Sequence, residues 1–215
     1  MTAARHPVIT ALTLALLGGC SGPGREVTHS PWPAQARGHA WCVAEGGPRH
    51  LSPGASCLAV VGADEWNHRT GLRTCAGQTF HVSVPGEQYW YDAGRRSHPL
   101  KGDEGSRFMN VFQGRKRVAG QNWFLLSAGT LPPGAVDDAD PEHAAALPAR
   151  VLSEPTVTYT ARAAGELVFF ANDARAFWPA PKLLYGNNRG HAWVVVRAEG
   201  PACGDAGGSL DSRGP

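Results

Sequence analysis

Three side chains near the C-terminal end carry hard oxygen donors at positions where they can meet. The run ELVFFAND (166–173) is apolar until it closes on Asn172 and Asp173, and the run YGNNRG (185–190) leads into the apolar stretch HAWVVV (191–196). If both apolar runs are strands of one sandwich that end at the same rim, Asp173, Asn187 and Asn188 converge. One carboxylate and two side-chain amides, completed by backbone carbonyls, form a donor set for calcium rather than for zinc or copper. A single carboxylate leaves the ion under-neutralised, so such a site accepts outside oxygens, for instance the vicinal hydroxyls of a sugar. The same residues also have a purely structural use. Asn and Gly tolerate positive φ, so GNNRG can be a tight turn ahead of a strand, with Asp173 as its cap.

Other chemistries find less support. The chain has no GxSxG, no HExxH and no glycine-rich phosphate loop. Glu45, Asp64, Glu65, Asp92, Asp103 and Glu104 read as scattered loop acids without the pairing a glycosidase needs. The expectation is therefore a binding protein, not an enzyme. Asp137, Asp138 and Asp140 lack the glycine and the distal glutamate of an EF-hand. Export of the chain would remove Arg5 alone among the counted charges, so the formal charge falls from +2 to +1. That balance argues against a nucleic-acid partner, which wants a basic stripe.

These donors need β elements to position them. The 27 glycines and 17 prolines punctuate short apolar or alternating segments, the pattern of an all-β sandwich or barrel. Residues 79–84 (TFHVSV) alternate strictly, sending Phe80, Val82 and Val84 to the core. Further strands are expected at 55–61, 88–92, 107–112, 122–127, 155–162, 166–171 and 191–197. The runs 167–171 and 192–196 are continuously apolar, as in central strands covered on both faces. Trp90, Trp123 and Trp193 are assigned to the core, and Trp178, beside prolines, to the surface. Residues 131–150 read as an exposed loop with at most one helical turn around 141–147.

The N-terminus reads as an export signal. Val8 to Leu17 is an apolar run of about ten residues, within the range of a signal segment and short of the roughly 20 that span a bilayer. Leu17-Gly18-Gly19-Cys20 resembles the bacterial lipobox. That resemblance implies a signal peptide over 1–19, lipidation of Cys20, and a membrane partner reached through the lipid. Residues 20–37 then form a Gly- and Pro-rich tether, 38–203 one domain, and 204–215 a disordered tail, the whole placed in the bacterial cell envelope. Four cysteines remain, Cys42, Cys57, Cys75 and Cys203, an even number suited to two disulfides in an exported chain. Three pairings exist; Cys42–Cys57 and Cys75–Cys203 are favoured.

The stretch 166–197 is similar to the C-terminal half of the bacterial galactophilic (PA-I type) lectins, which are calcium-dependent. The resemblance rests on Asn172-Asp173 and on Tyr185 to Gly190, and more loosely covers 66–197. It implies a galactose-binding-like jelly-roll β-sandwich, here with a disulfide-containing N-terminal extension. It implies a calcium ion held by Asp173, Asn187, Asn188, the carbonyl of Leu184 and an earlier tyrosine carbonyl, Tyr91 or Tyr89, with Tyr91 preferred. His98 of the pair His98-Pro99 would contact the sugar, and Lys101 stands where the family has a glutamine. The step from Asp173 to Asn187 is longer than in that family, and the added residues bring Trp178, a candidate platform for a sugar ring. The expected function is a lipoprotein that binds carbohydrate with the help of calcium, Asp173 and Asn187 meeting both ion and sugar. The alternative is a structural envelope lipoprotein of the same fold that meets a protein or cell-wall partner and no sugar.

Overall fold

The computed structural model describes residues 33–34, 37–43, 47–92, 94–150, 155–177, 180–200 and 203. The signal segment, Cys20, most of the tether, Trp178 and the tail from 204 lie outside the described residues. In chain order the strands are β1 (Ala40–Trp41), β2 (Ser56–Gly62), β3 (His68–Thr74), β4 (Thr79–Ser83), β5 (Trp90–Asp92), β6 (Arg95–Ser97), β7 (Leu126–Leu131), β8 (Glu142–Ala146), β9 (Thr156–Thr160), β10 (Gly165–Ala171), β11 (Asn188–Arg189) and β12 (His191–Glu199).

They form the expected all-β sandwich. One sheet runs β1-β2-β12-β4-β9, the second β3-β10-β7-β8, and a small third sheet runs β11-β5-β6. All pairs are antiparallel except β1 with β2. The alternation predicted for 79–84 holds: Phe80, Val82 and Val84 are fully buried. They meet Val194 and Val196 from β12 and Leu167, Phe169 and Leu126 from the second sheet in one core. Burying apolar side chains of this size contributes about 1.5–3 kcal/mol each before the entropy of ordering is subtracted.

The two continuously apolar strands behave differently. All of Leu167–Ala171 is buried, because loops cover the outer face of β10. In β12 every second residue, Ala192, Val194, Val196 and Ala198, is buried, while Trp193 stays half-exposed beside Trp41 at 6.2 Å. The core assignment of Trp193 is thus corrected: the period-2 alternation of a strand puts it on the outer face, whereas Trp90 and Trp123 are buried as expected.

Two segments depart from the sequence reading. Residues 107–112 do not form a strand; Arg107–Asn110 is a single helical turn, capped by the Ser106 hydroxyl accepting from the Met109 N–H at 3.2 Å. That cap competes locally with extended backbone. Residues 142–146, read as loop or helical turn, are an edge strand on β7. Gly129 makes the approach feasible, since a Cβ there would lie 2.6 Å from the Pro141 ring. Tertiary pairing overrides the helix preference of three alanines.

Two disulfides tie the ends of the domain. Cys42 pairs with Cys57 in β2, and Cys75 with Cys203, as favoured from the sequence. The first belongs to the N-terminal extension, whose β1 adds to the edge of β2.

Candidate functional site

The end of β10 is locked in place before Asp173 is reached. The Asn172 side chain, fully buried, donates to the carbonyls of Val118 and Asn122, both at 3.0 Å, and accepts from the Val118 N–H at 2.8 Å. Asn172 therefore serves structure alone: all three of those bonds hold the 118–122 loop. Tyr185 clamps the opposite side. It is fully buried, donates its hydroxyl to the Ala171 carbonyl at 2.5 Å, and packs edge-on against Trp66. Burial pushes its phenol up to about 12, so it remains a donor. It sits in the 3-10 turn Leu183–Asn187, which hands the chain to β11. Gly190 then turns with φ of 91°, and any Cβ there would lie 3.2 Å from the Tyr89 carbonyl.

This scaffold brings the predicted oxygen donors together. The Asn188 side chain, fully buried, donates to Asp173 Oδ2 at 3.0 Å and to the Ala63 carbonyl at 3.1 Å. Asp173 Oδ1 accepts from the Ala174 N–H at 2.6 Å. Asn187 donates to Asp92 Oδ1 at 2.8 Å. Asp92 lies directly opposite Asn188 across the β5–β11 ladder, and Tyr91 opposite Arg189. Leu184, partly buried against the core, sits in the same 3-10 turn as Asn187.

Asp92 is the residue that sequence reasoning missed. In the sequence it reads as one of the scattered loop acids, whereas the pairing of β5 with β11 makes it a second carboxylate in the cluster. The adjacency of Tyr91 and Asp92 within one short strand was the available signal.

The electrostatics follow from burial. Burial pushes the Asp173 carboxyl up to about 7, despite the Ala174 and Asn188 donors, and the neighbouring Asp92 adds to the rise. Asp92 is also raised, by burial first, against the lowering effects of Asn187 and Arg95. Among the described residues neither carboxylate makes an ion pair; Arg95, the nearest cation to Asp92 in this balance, is held by Asp103 at 2.9 Å. On the remaining side of each amide, Asn187 Oδ1 and Asn188 Oδ1 are buried without any hydrogen-bond partner. Leaving such an acceptor unsatisfied costs about 1–3 kcal/mol. Two under-neutralised carboxylates beside two vacant amide oxygens fit a hard divalent cation. They supply four of the six to eight oxygens that calcium takes, the rest falling to backbone carbonyls, water or ligand.

Of the residues predicted to touch a sugar, Asp173 and Asn187 belong to this cluster, Trp178 lies outside the described residues, and His98 and Lys101 lie just past the end of β6. His98 and Lys101 line a cleft of about 1200 Å³ together with Tyr89, Arg95, Arg96 and Asp103, and none of Asp173, Leu184, Asn187 or Asn188 lines it. His98 Nδ1 accepts from the Leu100 N–H at 3.1 Å, which leaves the ring proton on Nε2. Burial lowers its pKa, so the ring acts as a neutral donor. The Tyr89 ring lies edge-on to His98 at 6.0 Å and is covered by the Arg96 guanidinium at 3.6 Å.

Comparison with protein-family models and with curated proteins finds no match for this chain.

Proposed function

We propose that this chain is an exported lipoprotein whose β-sandwich binds calcium at Asp173, Asn187, Asn188 and Asp92, and carbohydrate beside it. One observation carries the reading: two consecutive asparagines have buried, unpartnered oxygens in a neighbourhood that also holds the buried Asp173 and the partly buried Asp92, neither in an ion pair among the described residues. A bound cation would satisfy all four groups at once. The carbonyls of Leu184 and Tyr91 would complete the shell, in the manner implied by the resemblance to the galactophilic lectins and their galactose-binding-like fold. When bound, calcium would orient vicinal hydroxyls of a sugar. His98 would donate from Nε2, and Lys101 would donate from its ammonium but accept nothing.

The separation of the cleft from the oxygen cluster favours a second reading. Calcium there would staple the turn at 183–190 to the end of β10 and take no sugar, leaving a structural envelope lipoprotein. Calcium titration followed by glycan binding separates the two. Calcium should raise the melting temperature of the wild type by mass action and leave Asp173→Ala unaffected. Calcium-dependent capture of an immobilised glycan then supports the lectin reading. A calcium-stabilised protein that captures none supports the structural one, and no calcium response in the wild type removes the metal site and with it the lectin reading.

A further inference from the structure

Adjoining the oxygen cluster is a surface whose side chains the cluster does not use. Seven large apolar side chains are exposed among the described residues, and four of them, Phe108, Val111, Phe177 and Leu183, lie on two neighbouring segments. Their exposures run from 60 to 78%. Such a concentration is what needs an explanation, since single exposed apolar residues do not.

The two segments are built into one surface. Phe108 stacks edge-on against Phe112 at 5.6 Å, and the Phe112 carbonyl accepts from the Arg115 N–H at 2.8 Å. The Arg115 side chain then donates to the carbonyls of Arg175 and Ala176, both at 2.8 Å, and lies over the Phe177 ring at 4.3 Å. The second segment folds back on itself through Ala176 N–H to the Pro181 carbonyl at 2.9 Å and Leu183 N–H to the Ala180 carbonyl at 3.0 Å. Phe177 and Leu183 are thereby the outer residues of a braced loop.

The charge carried by these segments is positive, and among the described residues the carboxylate paired with them is Asp140, which holds Arg175 at 3.2 Å and Arg117 at 3.6 Å. No acidic residue occurs between Glu104 and Asp137, or between Asp173 and Glu199. The same two stretches contain Arg107, Arg115, Lys182 and Arg189, none of which makes an ion pair among the described residues. Apolar tips ringed by cations match the boundary of an anionic bilayer, where acyl chains receive the tips and headgroups receive the guanidinium and ammonium groups. A protein partner of the obligate kind would bring a surface depleted in charge at its centre, which leaves this ring unanswered.

We infer that the segments 107–115, 175–177 and 180–183 dock onto an anionic lipid surface, inserting Phe108, Val111, Phe177 and Leu183. This contact uses neither a lipid at Cys20 nor the oxygen donors of the cluster, although Leu183 opens the turn that carries Leu184 and Asn187, and it would fix how the domain lies on the membrane.

The test uses the full chain with Cys20→Ser, so that no lipid is attached. An environment-sensitive fluorophore is placed at Leu183→Cys, and in a second protein at Val136→Cys, an exposed position on another loop. Vesicles of phosphatidylcholine containing phosphatidylglycerol should shift the emission at 183 to the blue and leave 136 unchanged. Added salt should weaken the response, and pure phosphatidylcholine should give little. In the 183-labelled protein, Phe108→Ser together with Phe177→Ser should weaken vesicle affinity by roughly tenfold for each side chain removed. Equal responses at 183 and 136, or none at either, overturn the inference. So does a blue shift at 183 that grows with protein concentration in the absence of lipid, which would assign the surface to a second copy of the chain.

Discussion

Without metal, the stability of this protein should fall as pH rises through the range where Asp173 titrates. Asp173 has a folded-state pKa of about 7 against 3.8 for an ordinary aspartate, with burial as the chief cause. Its folded pKa is raised, so without metal the folded state binds the extra proton across that interval. Stability then falls as pH climbs from about 4 to about 7 and stays low above it. At about 1.4 kcal/mol per pH unit the full interval corresponds to roughly 4 kcal/mol. On the proposed reading calcium would take the place of that proton, so its stabilising effect should be small near pH 5 and largest near pH 8, on the order of 10 °C in melting temperature. The assay is thermal unfolding near those two pH values with calcium and with chelator, for the wild type and Asp173→Asn. The variant keeps the shape and lacks the titration, so the difference between the two proteins isolates this carboxyl from all others. A chelated wild type that is no less stable near pH 8 than near pH 5, relative to Asp173→Asn, would refute the reasoning.

Three further outcomes follow from the same geometry. Arg117 has a side chain that is 1% exposed, stacked on Phe170 at 3.7 Å and Trp66 at 4.2 Å, and bonded to the Trp66 carbonyl and the Asn67 side chain; Arg117→Ala should cost about 3–5 kcal/mol in urea unfolding, and Arg117→Met clearly less because it keeps the stem packing. Gly190→Ala should cost about 1–3 kcal/mol by forcing a side chain into a positive-φ position against the Tyr89 carbonyl, read from the same denaturation midpoint. Replacing Cys203 by Ser opens a cross-link that spans 128 residues of sequence and should cost about 4 kcal/mol, measured by guanidinium unfolding under non-reducing conditions.

The parts of this fold that were legible in the sequence are those whose pattern is local. The alternation of 79–84 and the unbroken apolar run of β10 announced strands, and each is a strand with the expected buried face. Asp173, Asn187 and Asn188 were legible as a cluster because two apolar runs end beside them. What stayed hidden depends on partners distant in sequence. β8 is a strand only because β7 offers an edge, and a run of alanines says nothing of that. Asp92 joins Asn188 through a ladder between residues nearly a hundred positions apart. Trp193 was misplaced because an unbroken apolar run does not tell which face the other sheet covers. The loop cations at 107–117 had no visible pattern until the fold set them beside 175–189.

The disulfide between Cys42 and Cys57 has a mechanical consequence. β1 pairs in parallel with β2, and the cross-link joins the residue just after β1 to the second residue of β2. A pull applied at the N-terminal side of Ala40 is therefore carried through a covalent bond directly into β2, which is laced along its length to β12. The intervening loop bears none of that load and cannot be peeled away residue by residue. A domain held by its N-terminus in flow or against a moving surface would resist tension at the strength of its sheet rather than at the strength of its first turn.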